Sequence, residues 1–339
     1  MIALRLHDVR DVRIHEEPVR EPGPDEALLR VAAVGLCGSD LHWFAEGGIA
    51  DAVLERPLVL GHEPVAVFEN GPRAGERVAV DPAIPCGRCG PCLDGDENLC
   101  LAVRFAGHGA TDGALRQLMP WPERLLHALP DSLTDAAATL LEPLGVALHA
   151  LELARVGPGA TAGVFGCGPL GLLLVQVLRL ADADVAVATD PLPHRAEAAH
   201  ALGAINAMQA RRAGLEALPA RLRHGLDVAF EVAGDDDAVA TAVDTLRPGG
   251  LLVLVGIPTG DRTSFVASVA RRKGLTIALC RRMRPRHLER AIALAERGGV
   301  ELGSLVTDRF PLTRGAEAFA ALGERRGLKV VVEPQREAA

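Results

Sequence analysis

Hydrophobic positions in the first third of the chain come in short runs punctuated by Pro and Gly. Ala27–Val34, Pro64–Phe68 and Arg77–Val80 read as strands, and the stretches between them as loops, which predicts a mostly β domain. After Asp131 the texture changes. Thr134–Ala150 is rich in Ala and Leu with a helical period, and Thr134 or Asp135 is its cap. From Thr161 onward apolar runs of strand length alternate with helical stretches. Strands are predicted at Ala162–Phe165, Asp184–Thr189, Asp227–Glu231, Gly250–Val255 and Leu275–Leu279, with a weaker one at Ala204–Ala207. Helices are predicted at Leu170–Leu180 and Arg195–Leu202, and Asp235–Asp237 reads as a turn. This alternation implies a parallel, doubly wound sheet, because parallel strands need a crossover between them. The tail predicts helices at Leu288–Arg297 and around Arg314–Leu322, an extended Asp308–Pro311 and a strand at Leu328–Val332.

The 339 residues suit about two domains. A net charge of −8 offers no large positive field, so neither nucleic acid nor an anionic membrane is the expected partner. Tyr is absent, which excludes mechanisms that need a Tyr acid. The first twenty residues carry charges throughout and hold no signal-peptide core, and no run of about 18 uninterrupted apolar residues occurs. Seven Cys, four of them between 86 and 100, suggest metal binding in a reducing cytoplasm more than a disulfide framework.

Gly166, Gly168 and Gly171 form G-x-G-x-x-G between an apolar strand and an apolar helix, and the next strand ends in Asp190. In that pattern Gly166 allows the tight turn, Gly168 lets a pyrophosphate reach bare backbone, and Gly171 lets helix and strand pack closely. The helix N-terminus then meets the phosphates with free N–H groups. Asp190 is placed to accept from the ribose hydroxyls and to repel a 2′-phosphate, which favours NAD over NADP. Arg195 could stack on adenine or receive such a phosphate. A flavin turn or a purely structural one is the alternative.

Cys86, Cys89, Cys92 and Cys100 have the spacing to close a tetrahedron around a structural zinc, a redox or unliganded set being the alternative. A second constellation is dispersed: Cys37 in G-L-C-G-S-D-L-H, His62 and Glu63 in G-H-E, and Glu142 in E-P-L. A Cys/His/carboxylate set on separate loops fits a catalytic zinc with an open position. Taken singly, each of these residues is as readily structural or solvated.

These motifs, in this order and across essentially the whole chain, resemble the zinc-containing medium-chain dehydrogenases. The branch that looks nearest is the sorbitol (L-iditol) and other polyol dehydrogenases, with L-threonine 3-dehydrogenase close by. E-P-L discriminates, since liver-type alcohol dehydrogenases are expected to carry a Cys ligand near Glu142. The resemblance implies an α/β protein. A GroES-like, mostly β catalytic domain would span 1–146, with a structural zinc lobe at about 86–100. A Rossmann domain would span 147–284, and 285–339 would return to the catalytic domain. It implies two zinc ions per subunit. Cys37, His62 and Glu63 match ligands of the catalytic one, and Glu142 an acid that binds it directly or through water. Ser39 and His42 match a proton relay, and Leu170, Asp190 and Arg195 match cofactor contacts.

The implied reaction takes a hydride from a secondary alcohol of polyol type to NAD, through a zinc-bound alkoxide. L-Threonine or 2,3-diol oxidation is an alternative within the family, and a non-enzymatic zinc-lobe binding protein an alternative outside it. A homotetramer or homodimer is implied, formed through edge strands near Leu251–Val255 and Leu275–Leu279. The sequence departs from the polyol pattern at Trp43, where a Tyr follows the relay His, and at His108. In Arg281–Met283 only Arg282 carries over. Trp43, Phe105, His108 and Arg282 are therefore the candidate substrate contacts.

Overall fold

The computed structural model describes residues 1–209, 218 and 222–337. The chain forms two compact units, one of Met1–Glu142 with Arg284–Ala339 and one of Pro143–Met283.

The first unit is built on strand Glu26–Gly35. It lies within a seven-stranded sheet ordered Leu126–Ala128, Arg77–Val80, Glu63–Phe68, Glu26–Gly35, Lys329–Glu333 and Val306–Pro311, with Leu118–Pro122 paired to it off that path. Leu29, Val31, Ala33, Val34 and Gly35 are all buried, because the far end of the strand is covered on both faces. The antiparallel register sets Gly35 opposite Glu63 on one side and Val331 on the other. Leu29, Val31 and Val34 of that strand belong to one core with Trp43, Leu60, Met119 and Phe319, each large side chain contributing about 1.5–3 kcal/mol.

Two elements here escape the hydrophobic pattern. Ile2–Asp8 and Asp11–Glu16 pair as a hairpin, with Leu58–Val59 as its third strand. Charged residues interrupt that hairpin throughout, and it meets the core through buried Ala3, Leu4 and Leu6 with half-buried Ile2 and Val12 beside them. Gly38–Glu46 is a helix with Cys37 as its N-cap. Cys37 therefore sits at a helix start, where the sequence suggested a loop.

The second unit is a six-stranded parallel sheet, ordered Ala207–Gln209, Asp184–Asp190, Thr161–Phe165, Leu226–Glu231, Leu246–Leu254 and Thr276–Leu279. Numbered along the chain this is 3-2-1-4-5-6, which puts the switch point beside Thr161–Phe165. Three expectations need correction. Leu246–Leu254 pairs on both sides, so it is an interior strand; Thr276–Leu279 alone forms that edge, with Leu279 76% exposed. Asp235 is no turn residue but the N-cap of helix Asp236–Thr245, its carboxylate accepting from the N–H groups of Asp237 and Ala238. The weak strand is Ala207–Gln209, because Ala204–Asn206 first make an irregular connection after the helix stop at Gly203.

Asp135–Ala138 and Leu141–Ala154 are helical, and Thr134 caps the first by accepting from the N–H of Ala137. Together Asp135–Ala154 is long and apolar enough to cross a membrane by length and composition. Most of it is buried inside the protein, as a core helix would be.

Candidate active site

Helix Gly38–Glu46 and the start of strand Glu63–Phe68 bring the dispersed residues of the first unit together. The Cys37 sulfur, a His62 ring nitrogen and a Glu63 carboxylate oxygen all lie within 4.8 Å of one another. His62 and Glu63 are buried, and Cys37 is half-buried. Asp40 organises the group. One of its oxygens accepts from the N–H of Cys37 at 2.9 Å. The other accepts from the N–H of Gly61 at 3.1 Å and faces His62 Nδ1 at 3.5 Å. With Nδ1 held by a carboxylate, Nε2 is the nitrogen left for a ligand, the arrangement that orients metal-binding histidines. Burial opposes charge on Asp40, yet His62 and the two N–H groups outweigh it and hold the carboxyl below its usual range. Burial likewise lowers His62, and Asp40 and Cys37 outweigh it to raise the imidazole well above its ordinary value.

Glu63 is also ion-paired to Lys329, both side chains being sealed from solvent. Its Oε1 is buried without a hydrogen-bond partner among the described residues. An unpartnered carboxylate oxygen on a residue grouped with a sulfur and an imidazole nitrogen is a donor set that fits zinc with room for a further ligand. Glu142 stands outside the trio but is buried within its field. Burial pushes its carboxyl up to about 7, with Glu63 adding to the rise while His62 and Lys329 oppose it.

Ser39 and His42 lie on the same helix. The Ser39 hydroxyl is 3.3 Å from His62 Nε2, and His42 Nδ1 is 2.8 Å from the Glu46 carboxylate. No direct hydrogen bond joins Ser39 to His42 among the described residues. Phe105 lies against the trio, its ring 5.3 Å from that of His62. Trp43 is 2% exposed and meets His108 edge-on at 5.3 Å.

The four cysteines of the loop also converge, their sulfurs lying within 4.8 Å of one another. None is in a disulfide. Backbone N–H groups of Leu101 and Cys92 pull the Cys89 thiol down to about 6, and those of Arg88 and Cys89 lower Cys86. Gathered thiolates repel unless a cation sits among them, so this set too fits zinc.

In the second unit the glycine turn has the expected form. Gly166 has φ +107°, and a Cβ there would press on the backbone of Ala233. A Cβ on Gly171 would overlap the Gly166 carbonyl, so close packing of helix on strand requires glycine. Gly168 is the N-cap of helix Pro169–Leu180 and has no side chain to occupy the helix end, while Leu170 lies half-buried in its first turn. Asp190 ends its strand with one oxygen accepting from the N–H of Cys167 and the other from that of Leu192, both at 2.9 Å. Arg195 lies beside the turn, its guanidinium 3.6 Å from where a Gly168 Cβ would be. The fit is to a dinucleotide. Arg282 belongs to this unit and has φ +55°.

Two residues went unassigned in the sequence, Asp40 and Lys329. Asp40 could have been found as the one carboxylate inside G-L-C-G-S-D-L-H; Lys329 carries no local signal.

Known proteins resemble this chain along nearly its whole length. Residues 23–131 match the alcohol dehydrogenase GroES-like domain, and 169–297 match the zinc-binding dehydrogenase family. Sorbitol dehydrogenase of Bacillus subtilis (strain 168) is 34% identical over 346 residues, covering 99% of this chain and 98% of its own. A probable D-xylulose reductase A of Neosartorya fischeri is 32% identical, with 96% and 95% covered. The solved structure of L-idonate 5-dehydrogenase from Escherichia coli superposes with a TM-score of 0.90 at 25% identity, over 98% and 97% of the two chains.

Proposed function

We infer the reaction from one premise: this chain belongs to the zinc-binding alcohol and polyol dehydrogenases, enzymes that act on CH–OH groups. Its reaction is the transfer of a hydride from a secondary alcohol of polyol or sugar-alcohol type to NAD. Relatives named for sorbitol and D-xylulose support that substrate class. The observation that carries the reading is the convergence of Cys37, His62 and Glu63 in one largely buried cluster, with Glu63 Oε1 left without a hydrogen-bond partner among the described residues.

Those three residues would hold the catalytic zinc, with Glu142 beside them, and Cys86, Cys89, Cys92 and Cys100 a second, structural one. When bound, zinc supplies Lewis acidity toward an alcohol oxygen and NAD supplies the hydride acceptor. Ser39 stands at the ligand-presenting nitrogen of His62 and is the first acceptor for the alcohol proton. His42, which no hydrogen bond joins directly to Ser39 among the described residues, would receive the proton through a bridging water. With its Nδ1–H donated to Glu46, Nε2 is the basic nitrogen, and half-exposed Glu46 faces the solvent end. Gly166, Gly168, Leu170 and Gly171 would seat the pyrophosphate. Asp190 would accept from the ribose with the lone pairs its two N–H contacts leave free, and Arg195 would border the adenine side. Phe105 and His108 would line the substrate side. The free thiols suit a reducing cytoplasm, and the exposed edge Thr276–Leu279 suits a homo-oligomer.

The test is a screen of polyols, sugars, 2,3-diols and L-threonine with NAD, read by cofactor absorbance, on protein of known zinc content. Zinc-dependent oxidation of a polyol is the expected result. Activity undiminished by complete zinc removal would overturn the assignment.

A further inference from the structure

The first unit carries a separate cavity of about 630 Å³ that shares no lining residue with the Cys37–His62–Glu63 cluster. Its most unusual wall is Arg116. This side chain is only 8% exposed, its Nε has no hydrogen-bond partner, and no carboxylate among the described residues pairs with it. A buried guanidinium without a partner is costly to keep charged. Burial accordingly draws Arg116 down to about 10, Arg20 and Arg5 adding to the fall against Asp112, which still leaves it a cation at neutral pH.

The acids of the cavity are already committed. Arg5 binds both Glu17 and Asp112 at 2.9 Å, and Arg20 binds Glu26 at 2.8 Å. Arg56 approaches Asp112 only to 3.9 Å. Arg104 lines the same cavity and forms no ion pair among the described residues. Five guanidiniums thus face three carboxylates, and the two left without an ion pair, Arg104 and Arg116, match a doubly charged anion. Ile84, Pro120 and Trp121 supply apolar wall. The volume falls in the range of small-molecule sites, roughly 300–1,000 Å³, and a bare phosphate would leave most of it to water.

We propose that this cavity binds a small organic phosphate, its phosphate held by Arg116 and Arg104 and its carbon body lying along Ile84, Pro120 and Trp121. The site is independent of the reaction assigned above.

The probe is n-propyl phosphate, which has no free alcohol for the dehydrogenase site. Thermal unfolding of the zinc-loaded full chain is followed with saturating NADH, so that the dinucleotide site is filled, and ionic strength is matched with chloride. The expected result is a saturable rise in Tm, at lower concentrations than inorganic phosphate requires. Arg116→Met and Arg104→Gln are each expected to weaken the response at least tenfold without changing basal dehydrogenase activity. Without phosphate, Arg116→Met is expected to melt no lower than the parent, because it removes an uncompensated buried charge. Arg104→Gln, on an exposed side chain, tests the site even if Arg116→Met does not fold. The proposal is overturned by no saturable shift, by the same shift with chloride alone, by inorganic phosphate acting as well as the ester, or by an undiminished response in Arg104→Gln.

Discussion

Lys329 sets its ammonium against the Glu63 carboxylate, with almost no surface of either side chain reaching solvent. Gly35 makes the pairing possible. It stands opposite Glu63 in the central strand, and a Cβ there would overlap the Glu63 carboxylate and press on the Lys329 stem. A buried carboxylate can be kept as an anion when a cation answers one oxygen, and the other is then free to face a metal.

Removing one member of such a pair strands the other. Lys329→Met is expected to destabilise the zinc-free protein by about 3–5 kcal/mol, and Glu63→Gln in that background to restore much of the loss. Urea denaturation of the four proteins of the cycle measures it. Additive effects would show that the two side chains do not interact.

Glu142 has a different task. Glu142→Gln removes a charge held among His62, Glu63 and Lys329 while keeping the side-chain shape. Turnover is expected to fall by roughly one to two orders of magnitude, with the Kd for NAD changed less than about twofold. Equal losses in both would make Glu142 a residue of the fold.

Cys92→Ser is expected to reduce zinc from two ions per chain to one and to impair folding or assembly, while what is purified keeps its cofactor preference. Native mass spectrometry reads the stoichiometry and thermal unfolding the stability. A variant that is fully stable without the second ion would remove the structural role.

Asp190→Ala should raise the ratio of kcat/KM for NADP over NAD about tenfold or more, since the carboxylate that repels a 2′-phosphate is gone. It should also cost roughly 1–3 kcal/mol of stability, because the N–H groups of Cys167 and Leu192 lose their acceptor. An unchanged cofactor ratio would count against the ribose assignment.

Glu231 carries a pH dependence that can be isolated. Burial lifts its carboxyl from 4.5 to about 7, although the N–H groups of Gly234 and Ala233 pull the other way. The folded state therefore holds a proton that the unfolded state releases between those values. Stability from this group is complete below about 4.5 and declines as pH rises through 7. Gln keeps the acceptor and loses the charge, so Glu231→Gln should gain about 1–3 kcal/mol over the parent at pH 8 and nothing at pH 4.5. Denaturant titrations at both pH values decide it, and an equal gain at each would reject the titration.

Much of the molecule was legible as a string. The glycine turn, the four-cysteine loop and the alternation of strand with helix from Thr161 all lie within contiguous stretches. Their geometry follows from local chemistry: positive φ, sulfur spacing and hydrophobic period. The tertiary structure decided what joins distant segments. It set Lys329 against Glu63 across most of the length of the chain, aimed Asp40 at Nδ1 of His62, and buried Arg116 in a cavity closed partly by a hairpin the hydrophobic pattern had hidden. It also made Leu246–Leu254 an interior strand, which no run of apolar residues could distinguish from an edge. Spacing along a chain reports which groups can meet within a turn or two. Which groups are sealed from water together depends on how strands from remote parts of the sequence are paired, and burial is what turns an ordinary lysine, arginine or carboxylate into a charge that must be answered.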